Sequence, residues 1–439
     1  MKLNTKRFWK TISIVVAAIA AMYAILTLWS IIVLHRSYAA LERDCRPMTV
    51  AEVIPPPIPD ADNAAPLYEE AIRQLNQEKV GDDTLLQVLS LAARDAIATN
   101  ATPTDLAHFR ELVTRPVVQN AMELVVKAGE RKACRFDLNY LSGMDLTCSN
   151  LVTLMSVSKV VRSEVNRLIA DGEYSNAWCL AIAGLRLAEA KRTEPFVIPQ
   201  LATFMHAAIA GSSVGRLCSA TPVTREQADC LLAILKRFDD PAEFQRVLDG
   251  DRLLLGDKEF ARSFRNGPPP VLLMGGELPR WKLYLYLCVW RPLWRLDHAA
   301  YLRVLQVAAA APLSSSLSSV HVPEYCFCTR ACLSALESYR AAFIGHLACV
   351  RCAEAGLSVL VYQKEHGQWP ATLAACMAQV PTDPFDGKPL RYRMTGKGFV
   401  VSSVGKSRSQ KEIAWKYEPA FDVDAKNTPN IEQRNQKGF

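Results

Sequence analysis

The chain has 439 residues, of which 50% are hydrophobic and 22% charged, and its formal net charge is +7. This composition is typical of folded proteins and excludes a disordered or collagen-like chain. The length suffices for about three domains and a sizeable hydrophobic core. Because the excess positive charge is spread over the whole chain, the composition also argues against nucleic-acid binding, which needs basic residues concentrated on one face.

The first predicted element is a transmembrane helix at residues 11–34. These 24 consecutive positions carry no charged side chain, and as a helix they span about 36 Å against a hydrocarbon core of about 30 Å. Four basic side chains precede the segment: Lys2, Lys6, Arg7 and Lys10. Residues 1–10 are therefore expected in the cytoplasm and the rest of the chain outside it, in the periplasm. Cleavage near Ala39 as a signal peptide is the alternative, although the apolar run exceeds the roughly 7–15 residues of a signal core.

A second apolar stretch, residues 283–313, is predicted to be a buried or amphipathic helix. Four charged side chains interrupt it: Arg291, Arg295, Asp297 and Arg303. Each would cost about 2.5–3.5 kcal/mol near the centre of a bilayer, so we expect one membrane span and not two.

The ectodomain is predicted to begin with a stalk, residues 35–59, that ends in the proline-rich run Ile54–Pro59. This run cannot be helical and favours an extended polyproline spacer. Residues 60–264 then show helical periodicity, most clearly on both sides of Gly172. Two apolar stripes flank this turn: Leu151, Leu154, Val157, Val161, Val165 and Leu168 before it, and Tyr174, Ala177, Trp178, Ala181, Leu185 and Ala188 after it. The turn and second helix resemble a tetratricopeptide unit, which implies paired helices.

The remainder of the chain divides into three predicted segments. Residues 265–311 form a Pro/Gly loop followed by an aromatic-rich helix, and residues 328–406 form a long helix followed by a β-hairpin. The hairpin strands are expected at Leu390–Met394 and Phe399–Val404. Residues 407–439 are polar and are expected to be a disordered tail.

A resemblance to a known family is carried by residues 357–405. The matching motifs are Tyr362, His366-Gly367-Gln368-Trp369-Pro370, Leu373, Pro381-Thr382-Asp383-Pro384-Phe385-Asp386-Gly387, Pro389-Leu390-Arg391-Tyr392 and Phe399…Ser403-Val404-Gly405. This segment resembles the C-terminal module of type II secretion pseudopilins, which implies a long helix packed on a small sheet. With the membrane helix and Asn63–Tyr68 (Asn-Ala-Ala-Pro-Leu-Tyr), the chain also resembles uncharacterised bacterial membrane-anchored proteins. The pilin processing site Gly-Phe-Thr-Leu-Ile-Glu is absent from its N-terminus, which favours a shared fold module over a pilus subunit.

In the Asp383–Gly387 turn of this module, Asp383 is held extended by the proline that follows it, Pro384 fixes the turn, and Gly387 can adopt a positive φ. We expect Phe385 to be buried between the long helix and the hairpin, and the turn to be structural and not a calcium site. Calcium requires six to eight oxygen ligands, and basic residues follow Gly405 where the related family places acidic ones.

Motifs that carry chemistry are few. Gly211-Ser212-Ser213-Val214-Gly215 matches the nucleophile elbow of hydrolases, but its flanks predict a helix and not the strand-turn-helix that the elbow requires. Asp239-Asp240 and Asp249-x-Asp251 are interpreted as solvated or capping acids at helix ends. No catalytic constellation is apparent, and no cofactor is expected.

Thirteen cysteines leave three possibilities open: a metal site, disulfides or buried thiols. The candidate metal ligands are Cys328, Cys332, His346, Cys349 and Cys352, of which the last three are placed by their spacing on one broad helical face. Cys134 and Cys148 flank a loop and are predicted to form a disulfide in an oxidising compartment.

The sequence therefore predicts a mainly α protein with a single N-terminal transmembrane helix, a helical ectodomain with a tetratricopeptide-like helix pair, and a small C-terminal α+β hairpin module. We expect a non-catalytic envelope scaffold or interaction protein that binds another envelope protein. The alternative is an accessory component of a pseudopilin-related secretion machine.

Overall fold

A computed structural model of the chain describes residues 5–98, 100–143, 146, 148, 150–267, 289–317, 319–406 and 412–418. Over these residues the chain is mainly helical with a small antiparallel sheet near its C-terminus, as the sequence predicts. It forms two compact units. Unit 1 contains residues 1–54, 140–146 and 248–338, and unit 2 contains residues 55–139, 147–247 and 339–439. The predicted loop at 268–280, the aromatic residues Trp281, Tyr284 and Tyr286, and most of the predicted tail lie outside the described residues.

The described elements follow in chain order. The helices are α1 (Thr5–Arg43), α2 (Val50–Val53), α3 (Ala65–Gln77), α4 (Leu85–Asp95), α5 (Pro103–Val113), α6 (Pro116–Gly129), α7 (Asn150–Ala170), α8 (Tyr174–Glu189), α9 (Val197–Ala220), α10 (Arg225–Phe238), α11 (Ala242–Asp251), α12 (Asp257–Asn266), α13 (Trp290–Ala310) and α14 (Phe327–His366). The strands are β1 (Lys79–Val80), β2 (Asp83–Thr84), β3 (Arg391–Met394), β4 (Phe399–Lys406) and β5 (Glu412–Tyr417). A π-helical turn, Arg252–Gly256, joins α11 to α12, and a 3-10 turn covers Leu373–Ala375.

Among the described residues, three helices are long and apolar enough to cross a membrane, namely α1, α9 and α14. The apolar window of α1 is 0% buried, whereas those of α9 and α14 are 39% and 67% buried within the structure. Of these three apolar windows, only that of α1 is not buried by protein, and its surface is one that a bilayer would cover.

The helix α1 continues past the predicted end of the membrane segment, as far as Arg43, so the first part of the predicted stalk is helical. Residues 44–49 and the proline-rich run Ile54–Pro59 are not helical, the latter as predicted. In unit 1, α13 packs along α1, and Tyr38 lies 3.3 Å from Nε2 of His298. The same nitrogen lies 2.8 Å from Asp257, so the far end of α1 is bound to α12 and α13.

Buried ion pairs and a hydrogen bond bind the segment that follows α1 to residues 249–257. Arg46 binds both carboxylate oxygens of Asp249 at 3.0 Å, and both side chains are more than 90% buried. Arg252 is 1% exposed, pairs with Asp257 at 3.0 Å and donates to the carbonyl of Pro47. The interpretation of Asp249 as a solvated or capping acid was wrong, because the carboxylate neutralises a buried arginine.

Unit 2 is built on pairs of packed helices. The helices α7 and α8 form the pair predicted on both sides of Gly172, whose φ of +78° closes the turn between them. α8 also packs on α9 and α6, and α6 packs on α3. The buried side chains include most members of the two predicted stripes: Leu154, Val157, Val161, Val165, Leu168, Ala177, Trp178, Ala181, Leu185 and Ala188.

The C-terminal module of unit 2 packs a three-stranded antiparallel sheet, in the order β3-β4-β5, on α14. Tyr392 pairs with Val401, and Val401 pairs with Trp415. The Trp415 ring lies against Gly356 of α14, where a Cβ would come within 2.9 Å of it. The expectation that the chain beyond Ser407 is a disordered tail was wrong for residues 412–417. There, Ile413 and Tyr417 are buried and complete the sheet.

The predicted turn at Asp383–Gly387 is present, with Gly387 at φ +69°. Asp383 is fully buried and accepts hydrogen bonds from four donors: the Phe385 amide (3.0 Å), the Ser403 hydroxyl (2.9 Å), the Val404 amide (2.8 Å) and Nη1 of Arg391 (2.8 Å). The Phe385 ring is only half-buried and packs on Gly405 of β4. The turn is thus held mainly by the hydrogen bonds of the Asp383 carboxylate. The Phe385 ring, which was expected to be buried, contributes less to the stability of the turn.

Replacing Asp383 by Ala should lower the free energy of local opening of β4 by about 3 kcal/mol. The substitution leaves two backbone amides, a hydroxyl and an arginine without their shared acceptor. Hydrogen exchange of the amides of residues 399–404 in the full chain measures this change. Asp386→Ala is the matched control, because Asp386 pairs with the same Arg391 at the surface. Equal protection of β4 in the two variants would contradict the assignment of Asp383 as the hub.

Candidate functional site

The candidate functional site is a cavity of about 180 Å³ in unit 2, which we call the cationic cavity. Its lining comes from the start of α3, the end of α6 with the residues that follow it, the end of α8 with the residues that follow it, and α10. Five cationic side chains and one carboxylate contribute to the lining: Arg131, Lys132, Arg186, Arg192, Arg237 and Glu189. Tyr68 and Cys134 form part of its wall.

Local sequence features bring these segments together. The side chain of Asn63 accepts from the amides of Ala65 and Arg135 and donates to the carbonyl of Arg135. It therefore joins the start of α3 to the chain that follows α6. Within the same unit, Gly129 at the end of α6 lies against Ala183 of α8, where a Cβ would come within 3.3 Å of the neighbouring backbone. The absence of a side chain at Gly129 allows the two helix ends to approach.

Glu189 is the central carboxylate of the cavity. It binds Nη1 of Arg186 at 3.1 Å and Nε of Arg237 at 3.1 Å, and its side chain is 14% exposed. Burial raises the pKa of Glu189 to about 7, although Arg186 and Arg192 act to lower it. The carboxylate therefore changes its charge near neutral pH.

The other cations are held by partners around the cavity. Arg192 binds Glu243 at 3.3 Å, and Lys132 binds Asp62 at 3.1 Å. Arg131 donates to the carbonyl of Ala61, which carries no charge. Cations consequently outnumber the carboxylates that hold them by five to three, and the cavity has an excess of positive charge.

A buried lysine lies beside the cavity wall. Lys191 is 2% exposed, and its Nζ lies 3.5 Å from the centroid of the Phe136 ring. Among the described residues, no acceptor lies within hydrogen-bond distance of this ammonium group. Cys134 and Cys148 both lie within electrostatic range of Lys191, so the structure places the two predicted disulfide partners around one positive charge. Burial raises the pKa of the Cys134 thiol to about 12 and also raises that of Cys148.

The predicted metal ligands differ in their surroundings and in their exposure to solvent. His346 is a core residue, stacked on Phe204 with ring centroids 4.4 Å apart and edge-on to Phe238 at 5.6 Å. All three residues lie on the continuous helix α14, but Cys349 is exposed whereas Cys352 is buried. In the part of the chain that the structure describes, no three His, Cys, Asp or Glu side chains form a group that could hold a metal ion.

The remaining sequence motifs lie within helices. The Gly211–Gly215 motif lies inside α9, so the strand-turn-helix of a nucleophile elbow is absent from these residues. Trp290 and Trp294 stack on each other in the core of unit 1, with ring centroids 4.5 Å apart. Cys328 and Cys332 are half-buried on the first turns of α14.

The disulfide between Cys134 and Cys148 is still a prediction, since both residues are thiols in this structure. Protein isolated from the envelope and alkylated without reductant should yield a Cys134–Cys148 peptide pair by mass spectrometry. In the control variant Cys148→Ser, Cys134 should become free and react with the alkylating reagent after unfolding. Full alkylation of both cysteines in the native chain, without any reduction step, would exclude the bridge.

The arrangement can hold an anion, because guanidinium groups converge on a partly closed space and one of their counterions neutralises near physiological pH. A volume of 180 Å³ is below the roughly 300–1,000 Å³ of cavities that enclose drug-sized ligands, so it fits a single carboxylate-bearing group. Sequence reasoning missed this site because its cations come from separate segments. No protein-family model, curated protein or solved structure matches the chain.

Proposed function

We propose that this chain is a single-pass, membrane-anchored envelope protein whose extracytoplasmic helical domain binds an acidic segment of another envelope protein. The cationic cavity is the observation that carries this proposal. In this function the protein is a non-catalytic scaffold that α1 anchors in the membrane.

The ligand chemistry follows from the contacts inside the cavity. Arg186 and Arg237 are already oriented by Glu189, so a carboxylate of the partner can bind where Glu189 binds, at a small cost in side-chain entropy. Protonation of Glu189 frees both guanidinium groups for this exchange. Among the described residues, Arg131 donates to the neutral carbonyl of Ala61, which leaves its charge available to the ligand.

The cavity should bind an acidic peptide more tightly at low pH. For a labelled hexaglutamate peptide, the affinity of the detergent-purified full chain should fall about tenfold as Glu189 ionises between about pH 6 and pH 8, an effect of roughly 1.4 kcal/mol. Glu189→Gln should bind tightly across this range, because the competing negative charge is gone. Fluorescence anisotropy gives both curves.

Arginine variants provide the controls for the binding experiment. Arg186→Ala should weaken binding about 10- to 100-fold, because it removes a charge-assisted hydrogen bond. Arg94→Ala should leave binding unchanged, because Arg94 is an exposed arginine on α4 outside the cavity lining. The proposal fails if Arg186→Ala and Arg94→Ala bind the peptide equally well.

The orientation of the chain rests on the basic residues that precede the apolar segment 11–34. A membrane-impermeant maleimide added to spheroplasts should label the exposed cysteines Cys45 and Cys179, as counted by peptide mass spectrometry. A cysteine introduced by Asn4→Cys should be protected until the membrane is permeabilised. The reverse pattern would place the ectodomain in the cytoplasm and remove the basis for an envelope partner.

The alternative function is an accessory role in a pseudopilin-related secretion machine, which rests on the resemblance of residues 357–405. The partner distinguishes the two functions. A photo-crosslinking residue at position 132, beside the cationic cavity, should capture the partner in intact cells. Secretion components among the crosslinked proteins would favour the alternative, and an unrelated acidic envelope protein would favour the scaffold.

A further inference from the structure

A second cavity, of about 350 Å³, adjoins the cationic cavity in unit 2. The two cavities share Arg131 and Lys132 as lining residues. The rest of the second lining comes from the segment before α3, from α3 itself and from the end of α6 with the residue that follows it. The two cavities therefore meet at one pair of basic residues, although the proposed function uses only the first cavity.

The two shared residues are held by contacts at the protein surface. Arg131 donates to the carbonyl of Ala61, and Nζ of Lys132 lies 3.1 Å from the carboxylate of Asp62. The Lys132 side chain is 81% exposed. Exposed ion pairs contribute little to stability, so a carboxylate of a ligand can replace Asp62 on Lys132 at a small cost in free energy.

The second cavity has its own excess of positive charge. Besides the two shared residues its lining contains Lys127, and these three cations are opposed by two carboxylates, those of Asp62 and Glu130. The ammonium group of Lys127 is loosely held, because it lies 3.7 Å from Glu123 and its side chain is 60% exposed. Lys127 lies outside the lining of the cationic cavity, so its charge acts mainly on a ligand in the second cavity.

The lining and the size of the second cavity indicate which anion it fits. Leu67 of α3 is half-buried and provides an apolar surface, on which the methylene groups of a glutamate side chain can pack. A volume of about 350 Å³ falls within the roughly 300–1,000 Å³ of ligand-binding cavities, whereas the cationic cavity fits one carboxylate-bearing group. An acidic side chain therefore fits the second cavity better than a small inorganic anion does.

We propose that the two cavities form one bipartite site that binds two carboxylates of the same acidic segment. The first carboxylate binds between Arg186 and Arg237, and the second binds Lys127 and Lys132 in place of Asp62. This inference rests on the proposed function, because it adds a second contact to the same ligand. It specifies a partner segment with two acidic side chains a few residues apart, whose second carboxylate binds with the advantage of being already tethered.

The test compares peptides that carry one or two glutamates. The probes are fluorescein-labelled glycine–serine peptides with a single glutamate, or with two glutamates separated by one, two, three or four residues. In each control peptide, glutamine replaces the second glutamate. Fluorescence anisotropy measures binding to the detergent-purified full chain at about pH 6, where the peptide glutamates are ionised. With at least one spacing, the two-glutamate peptide should bind about tenfold more tightly than its glutamine control.

Variants of the protein assign this gain to the second cavity. Lys127→Ala should weaken the best two-glutamate peptide about threefold and leave the one-glutamate peptide unchanged, because only the second carboxylate contacts this cation. Glu130→Gln should strengthen the two-glutamate peptide about threefold, because it removes a repelling charge. Lys79→Ala is the matched control, since Lys79 is an exposed lysine on β1 that lies outside both linings.

The outcomes separate this inference from the proposed function. If no spacing binds more tightly than its glutamine control, or if Lys127→Ala and Lys79→Ala bind the best peptide equally well, the bipartite site is overturned. The proposed function survives either result when Arg186→Ala still weakens the one-glutamate peptide. If Arg186→Ala leaves the affinity of every peptide unchanged, the proposed function and the bipartite site fail together.

Discussion

The close approach of α6 and α8 is the constraint on which the site in unit 2 depends. At Gly129 the α6 backbone lies so near Ala183 that a Cβ would come within 3.3 Å of the Ala183 Cα, which is tighter than ordinary van der Waals contact. Next to Ala183 on α8, Gly184 leaves a similar space for Val161 of α7. These small residues allow three helices to pack together and bring the charged residues beyond the ends of α6 and α8 to one cavity. A larger residue at Gly129 would change the separation of the guanidinium groups without altering any charge.

A different constraint governs unit 1. Because α1 continues as a helix to Arg43, its direction beyond the apolar segment is set by what it contacts there. Buried ion pairs such as Arg46–Asp249 contribute little net stability, since desolvation offsets most of their attraction. They are directional, however, and a mispaired buried charge costs several kcal/mol. These pairs therefore specify one docked position for the end of α1, which the apolar contacts with α13 alone would not do.

The parts of this fold that the sequence predicted are those with strong local signals. The stripes of α7 and α8 and the turn at Gly172 follow from periodicity, and Gly387 follows from turn chemistry. The strand β5 was missed because Glu412–Tyr417 is a short run inside the polar C-terminal region, and its pairing with β4 completes the sheet in which Ile413 and Tyr417 are buried. The cationic cavity was missed for a related reason. Its arginines occur singly along the sequence, and only tertiary packing brings them together.

The buried carboxylates Asp383 and Glu189 differ in whether a further group can reach them. Asp383 has four donors from its own module and excludes water completely, so no further group can approach it. Glu189 is shared by two guanidinium groups in a space that remains open, with further cations in the lining. Mutual repulsion among such cations lowers the stability of the fold. Neutralising Glu189 increases this repulsion. An arrangement with this electrostatic cost is stabilised by a bound anion, which is the property that a receptor for an acidic partner requires.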